Sequence, residues 1–548
     1  GTGLKINVRD FCARVRGVLV GKSTLTIEKL LETAAHQSEF RTQNHPDYSY
    51  LAARFMCDRI RLTSKPTFRE FCEEADGYGF VYENPDGAVN YKEVLRQHGD
   101  RIEAAIDHTR DDLFDYSGII TLMKSYLIKR GSDDVFERPQ YMYMRVAIQI
   151  RPNDIEGVLS VYENLSKHMY THATPTIFGS GSAQPQLSSC FLLSPPEDNL
   201  DHIFDTVKNA ATISKYSGGI GFTASRVREA GARIKSVNGT ALGVPGIDTL
   251  FNAVCVYVNQ GGGKRNGSAA IYLDMHHPDL IHHIRIRRPD TAVKDRGVNV
   301  FPALMIPDIF MRRLLNNEKW SFFSPVDAPD LVDLYGEAYE AKYIQYEREG
   351  KAVSTIDAKE IMFEIAKAVS VTGTPYICFK DACNIKSNHK NRGTITNSNL
   401  CTEIIQYSSR EETSVCNLAS ISIRSFVDKK TLKFDYAQLH KVVREIVRNL
   451  DNIIDISFAP IPGARLSNDR MRPIGIGVQG FADALLLMKI PYESDAAVEF
   501  NKILFEHIYY GAMVETVALA EERGAYPMFY DSPFSRGEFQ FDMWGVKP

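Results

Sequence analysis

The chain has 548 residues, a mass of 61.7 kDa and a formal charge of −4 from 64 basic and 68 acidic residues. Hydrophobic residues make up 44% and charged residues 24%, enough to bury a large core and inconsistent with a disordered chain. The near-balanced charge argues against a broadly basic nucleic-acid binder, no apolar run approaches the ~18 residues of a membrane span, and the start Gly1-Thr-Gly-Leu-Lys-Ile lacks the apolar stretch of a signal peptide.

The N-terminal third reads as helical. Gly17-Val-Leu-Val-Gly21-Lys22-Ser23 has only three residues between its glycines, where a phosphate loop needs four, so it reads as a turn before a helix. Ile27, Leu30, Leu31 and Ala34 then follow i, i+3, i+4, i+7 spacing and define an apolar helix face. Similar patterns cover 49–62, 98–108 and 116–130, and Glu83-Asn-Pro-Asp-Gly-Ala marks a turn. From about residue 170 the texture changes. Short β-prone runs at 187–193, 219–223, 269–273, 297–301, 376–379, 403–407 and 414–423 alternate with helical patterns at 201–214, 246–258, 307–316 and 357–370. This alternation predicts an α/β fold with parallel strands, as a barrel or a large wound sheet.

Two stretches invite a ligand. His276, His277, His282 and His283 lack zinc-enzyme spacing and read as solvated surface. Gln260-Gly-Gly-Gly-Lys264-Arg265-Asn-Gly267 allows close backbone approach and offers two cations for phosphate. It reads equally as a flexible connector.

Nine cysteines, an odd number with no Cys-x-x-Cys pair, exclude a disulfide framework and a zinc ribbon. The default is a reducing, cytoplasmic compartment in which any paired cysteines are catalytic. Asn399, Cys401 and Glu403 are spaced by two, so an extended segment points all three to one side. A carboxylate beside a thiol disfavours thiolate and so disfavours nucleophilic chemistry. Hydrogen-atom transfer by the thiol needs no thiolate and leaves the carboxylate as a base. A plain strand with one half-buried Cys fits the same pattern. Cys190 and Cys416 also sit in strand-like runs; a disulfide between them needs Cα atoms about 4.4–6.8 Å apart, which spacing alone does not establish. The other six cysteines read as core or incidental.

These residues lie in a longer ordered set: His45-Pro-Asp-Tyr-Ser-Tyr-Leu-Ala-Ala-Arg, Glu137-Arg-Pro-Gln, Thr174-Pro-Thr-Ile-Phe, Gln186-Leu-Ser-Ser-Cys-Phe-Leu, Ser217-Gly-Gly-Ile-Gly, Asn399-Leu-Cys-Thr-Glu-Ile, Val415-Cys-Asn-Leu-Ala-Ser and Arg472-Pro-Ile-Gly-Ile-Gly-Val-Gln-Gly. In this set the chain resembles the large, catalytic subunit of class I ribonucleoside-diphosphate reductase, from about residue 47 to its last residue. The resemblance implies a ten-stranded α/β barrel, incomplete here, with a central finger loop and a mainly helical N-terminal domain. The corresponding segments are 1–40, a remnant of a helical ATP cone; 41–170, the helical domain; and 171–548, the barrel.

The resemblance also implies roles. Cys401 is the transient thiyl radical that takes the ribose 3′ hydrogen, Glu403 the base on the 3′ hydroxyl, and Asn399 a partner of the sugar hydroxyls. Cys190 and Cys416 supply two electrons and become a disulfide as the 2′ hydroxyl leaves as water. Thr174, Ser189 and Gly219 match substrate-contacting positions. Asp198, Lys215, Arg228, Gln260 and Arg265 match a specificity site that reads a deoxynucleoside triphosphate or ATP with Mg2+. No metal site of the chain's own is implied. The implied partners are a metal-containing small subunit that supplies the radical, a second copy of the chain, and thioredoxin or glutaredoxin as reductant.

Two departures from the family pattern carry expectations. The partial cone predicts no ATP/dATP on–off switch. The stop at Asp542-Met-Trp-Gly-Val-Lys-Pro548 falls roughly 200 residues short of the family, which leads us to expect a complementary C-terminal fragment, an interrupted product or a truncated polypeptide. A non-catalytic nucleotide-binding regulatory paralogue is the alternative; it predicts loss of Cys190, Cys401, Cys416 or Glu403, and all four are present. A cobalamin-dependent reductase, needing no small subunit, is a second alternative.

Overall fold

The computed structural model describes residues 3–20, 24–85, 87–193, 196–260, 266–293 and 296–547. Its strands are β1 (Tyr170–His172), β2 (Cys190–Leu192), β3 (Gly219–Thr223), β4 (Arg233–Ile234), β5 (Gly239–Thr240), β6 (Ala269–Asp274), β7 (Val300–Ile306), β8 (Lys319–Phe322), β9 (Ser354–Asp357), β10 (Tyr376–Phe379), β11 (Ser414–Ser422) and β12 (Ile474–Gln479). The chain divides into two compact units, residues 1–187, 418–458 and 476–518, and residues 188–417, 459–475 and 519–548.

The first unit is mainly helical. Its helices begin where polar side chains take up unpaired N–H groups: Thr67 and Glu70 form a reciprocal capping box before Phe68–Ala75, and Asp154 caps Ile155–Ser166. Phe68, Phe71, Phe80, Tyr91, Phe136 and Tyr141 pack as one aromatic core. Through that core runs a buried ion pair, Arg145 to Glu137 at 2.7 Å, whose guanidinium also donates to the carbonyls of Ile177 and Ser180. These extra acceptors offset the cost of burying charge. β1 pairs antiparallel with the distal half of β11, Tyr170 opposite Ile421.

Two helical expectations change here. In Ile27–Glu39 the buried side chains are Thr33, Ala34, Ala35 and Ser38, while Ile27 and Leu30 face solvent. Small residues let this helix lie close against Asp47–Thr63, a fit the apolar spacing does not report. Gly17 is inside the helix Val8–Leu19, not in a turn, and Gly21, Lys22 and Ser23 lie outside the described residues.

The second unit is α/β, half of a barrel built on a curled mixed sheet. Its strand order is β11-β2-β3-β6-β7-β10, parallel throughout except where β11 runs antiparallel to β2. Helices follow β3, β6, β7 and β10, as parallel neighbours require a crossover. Alternation along the strands divides the sheet's two faces. Ile220, Phe222, Ile271, Leu273 and Leu304 pack on the helices with Ile213, Ile247, Phe251 and Ile361. The intervening Ala270, Tyr272, Ala303, Met305 and Cys378 form a separate cluster on which Leu400 sits. A central loop, 396–413, therefore lies against the face opposite the helices.

The expected strand at 403–407 is absent: those residues are irregular. Their backbone groups are taken by side chains instead. Ser398 donates to Ile404 C=O at 2.6 Å, and Ile404 N–H donates to Asn399 Oδ1 at 3.1 Å. The histidine stretch is not solvated surface either. His276, His277 and His283 are fully buried, bonded to Tyr339, to Val227 C=O, and to Asp248 with Ile271 C=O, respectively. No helix among the described residues is long and apolar enough to cross a membrane.

Candidate functional site

Sheet register brings together residues more than 200 positions apart. β2 and β11 place Cys190 directly opposite Cys416, and Ser189 N–H donates to Cys416 C=O at 2.9 Å. Directly opposed antiparallel residues have Cα atoms about 4.5–5.5 Å apart, inside the range a disulfide requires. Parallel pairing then sets Gly219 of β3 beside Cys190.

The central loop crosses β3, and two glycines make room for it. A Cβ on Gly221 would lie 2.2 Å from Ser398 O and 2.8 Å from Asn399 Cα. One on Gly219 would meet Leu400 Cβ at 3.4 Å. This approach delivers the Asn399 amide to the cysteine pair. Asn399 Nδ2 donates to Cys190 Sγ at 3.0 Å and to Glu403 Oε2 at 2.7 Å, and the Cys190 thiol donates to Glu403 Oε1 at 3.8 Å.

The local conformation differs from the extended segment expected for 399–403. Residues 400–402 form a turn, and Thr402 adopts φ +71°. A left-handed residue other than glycine costs about 1–2 kcal/mol, more for a branched side chain. The Tyr272 hydroxyl offsets this from β6, donating to Asn399 C=O at 2.7 Å and bonding Thr402 Oγ1 at 2.9 Å, each worth about 1 kcal/mol net. The turn still sets Asn399 and Glu403 side by side, but through i, i+4 contact and not through strand alternation.

Burial grades across the site. Asn399 and Cys416 are fully enclosed and Cys190 nearly so, while Cys401 and Glu403 are exposed. Burial, followed by the Glu403 carboxylate, pushes the Cys190 thiol well up; the Asn399 N–H works against this and the nearby Cys401 adds to it. Burial, Cys190 and Glu403 likewise raise Cys416. Both remain neutral thiols at physiological pH, unsuited to nucleophilic attack and suited to giving up hydrogen atoms or, as a pair, two electrons. Ser189 Oγ, one residue before Cys190, is buried and unmatched.

The remaining expected residues fall elsewhere. Thr174 belongs to the first unit, opening the helix Thr174–Gly179 with its hydroxyl 2.9 Å from Tyr126 OH. In the second unit Asp198 and Arg228 bond each other: Arg228 Nε donates to Asp198 Oδ2 at 2.6 Å, and both side chains are 26% exposed. Lys215 ends the helix Leu200–Lys215 with its ammonium 5.1 Å from the Tyr216 ring. Gln260 is buried; Lys264 and Arg265 lie outside the described residues. Among the described residues no three His, Cys, Asp or Glu side chains gather as a metal site.

Sequence reading missed Tyr272, Gly221 and Ser398. Two signals were present. A tyrosine in the middle of a fully buried strand, Ala269–Asp274, needs a partner for its hydroxyl. Glycines at 219 and 221 share one face of a strand and mark the close passage of another backbone.

Comparison with known proteins gives the family. The model of the ribonucleotide reductase barrel domain matches residues 188–548, and that of the ribonucleotide reductase all-alpha domain matches 112–185. The chain is 42% identical to the ribonucleoside-diphosphate reductase large chain of Neurospora crassa over 552 aligned positions, covering 100% of this chain and 59% of the relative. It is 42% identical to the large subunit of Arabidopsis thaliana (96% of this chain, 67% of the relative) and 40% identical to large chain 2 of Saccharomyces cerevisiae (97% and 62%). It thus spans about three fifths to two thirds of the relatives it matches. With the barrel model alone covering more than half of its length, the chain belongs to the ribonucleoside-diphosphate reductase large-subunit family.

Proposed function

We propose that this chain carries the substrate chemistry of a class I reductase, converting ribonucleoside diphosphates to 2′-deoxyribonucleoside diphosphates. The observation that carries the reading is the register that opposes Cys190 and Cys416, with Asn399 joining Cys190 to Glu403. Substrate enters on the exposed side, where Cys401 and Glu403 face out. A small subunit with a metal centre oxidises Cys401 to its thiyl radical, which takes the ribose 3′ hydrogen. Glu403 accepts the 3′ hydroxyl proton while the 2′ hydroxyl leaves as water. Cys190 and Cys416 give two hydrogen atoms' worth of electrons and protons and join as a disulfide. The 3′ hydrogen then returns from Cys401, restoring the radical. The balance is nucleoside diphosphate plus two thiols to deoxynucleoside diphosphate, disulfide and water. Thioredoxin or glutaredoxin renews the thiols.

The buried, unmatched Ser189 hydroxyl supports a substrate contact beside Cys190, next to which Gly219 lies in the sheet. For the effector, a deoxynucleoside triphosphate with Mg2+ displaces the Asp198–Arg228 pairing, taking Arg228 on its phosphates and Asp198 on its ribose, with Lys215 and Gln260 as further contacts. The chain works as a cytoplasmic homodimer.

The test is Cys401→Ser in the enzyme assembled with its small subunit and the complementary C-terminal fragment expected above. Deoxynucleotide formation is abolished and deoxynucleoside triphosphate binding by equilibrium dialysis is unchanged. Product formation by Cys401→Ser above the background without the small subunit removes Cys401 from its role.

A further inference from the structure

We propose that Tyr272 is a positioning residue for the Cys401 thiol, its hydroxyl clamping the two ends of the turn that presents it. The inference rests on the reading of Cys401 as the reacting thiol.

Tyr272 is held rigidly. It is fully buried in β6, paired to Thr223 of β3 on one side and Ala303 of β7 on the other. Its own carbonyl accepts from Ala224 N–H at 3.0 Å and from Thr223 Oγ1 at 3.1 Å. The turn it touches, residues 400–402, belongs to no strand or helix. The phenol has one proton, which goes to Asn399 C=O; the Thr402 hydroxyl must then be the donor in the second bond. One oxygen thereby ties the residues on either side of Leu400-Cys401 to the centre of the sheet. Asn399 is also the residue whose amide bonds Cys190 and Glu403. This fixed point, together with the bonds of Ser398 and Ile404 around Asn399, thus sets the relation between Cys401 and the groups it must act with. Hydrogen transfer depends steeply on such placement, and a shift of about 1 Å costs about a hundredfold in rate.

Filling the Ala270–Ala303–Met305 cluster is the competing role for this side chain. Tyr272→Phe separates the two, since it keeps the ring and removes the hydroxyl. Thr402→Val removes the other donor, and Thr402→Ser keeps it. Two readouts apply. In the full chain, iodoacetamide labelling followed by peptide mass spectrometry gives the rate at each cysteine. Tyr272→Phe and Thr402→Val raise the Cys401 rate by at least about threefold as the turn opens locally, with Cys190 and Cys416 unchanged and Thr402→Ser like wild type. In the assembled enzyme, Tyr272→Phe lowers kcat at least about tenfold with KM within about twofold, as expected for lost alignment. The inference is overturned by a Cys401 rate within about twofold of wild type, by parallel acceleration at Cys190 and Cys416, or by unchanged kcat. If wild type, supplied with its small subunit and the complementary C-terminal fragment expected above, forms no deoxynucleotide, the proposed function fails, and the labelling rates alone decide on Tyr272.

Discussion

The thiol site and the expected effector site are held by different means. At the thiol site, Cys190 and Cys416 are fixed by strand register, and Asn399 reaches them because two glycines let a second backbone lie on β3. At the effector site, Asp198 precedes a helix and Arg228 follows a strand, both partly exposed, and they satisfy each other. Radical chemistry needs groups whose geometry is set before substrate arrives. An effector site needs charges that can exchange one partner for another at small cost, as a partly exposed ion pair does. Sequence motifs mark both equally, but only the first is fixed by sheet register and a close backbone crossing.

Three substitutions sharpen this contrast. Glu403→Gln keeps the Asn399 contact and removes the base, so kcat falls by about 10²–10⁴; thermal unfolding shifts little because Glu403 is exposed. Steady-state rates and a melting curve check both halves. Gly221→Ala drives a methyl against Ser398 O and Asn399 Cα, costing about 1–3 kcal/mol of stability; denaturant unfolding reads that loss, and activity falls with it. Arg228→Ala does the reverse. Its effect on unfolding is about 0–1 kcal/mol, while deoxynucleoside triphosphate affinity drops about tenfold or more for a lost charge-assisted phosphate contact. A large stability loss from Arg228→Ala, or none from Gly221→Ala, breaks the contrast.

The sequence carried the alternation of strands and helices from about 170 onward, because two-residue periodicity and turn residues are local. It also brought Asn399 and Glu403 side by side, although by the wrong conformation. Ile404 and Ile405 with Tyr407 look β-prone, yet Ser398 and Asn399 capture Ile404's backbone and leave no ladder to join. Side-chain capture of backbone is invisible to propensity. The opposition of Cys190 and Cys416 was not legible, since no rule of spacing sets a register across 225 intervening positions. The histidines misled for a related reason: burial is decided by distant partners such as Tyr339 and Asp248.

The most direct test of the central claim, that Cys190 and Cys416 form one redox pair beside a separate Cys401, is oxidation of the reduced chain with diamide followed by alkylation and peptide mass spectrometry. The account predicts a Cys190–Cys416 disulfide, with Cys401 recovered as the alkylated thiol. A disulfide from Cys401 to either partner, or Cys190 and Cys416 both recovered as thiols under complete oxidation, contradicts it.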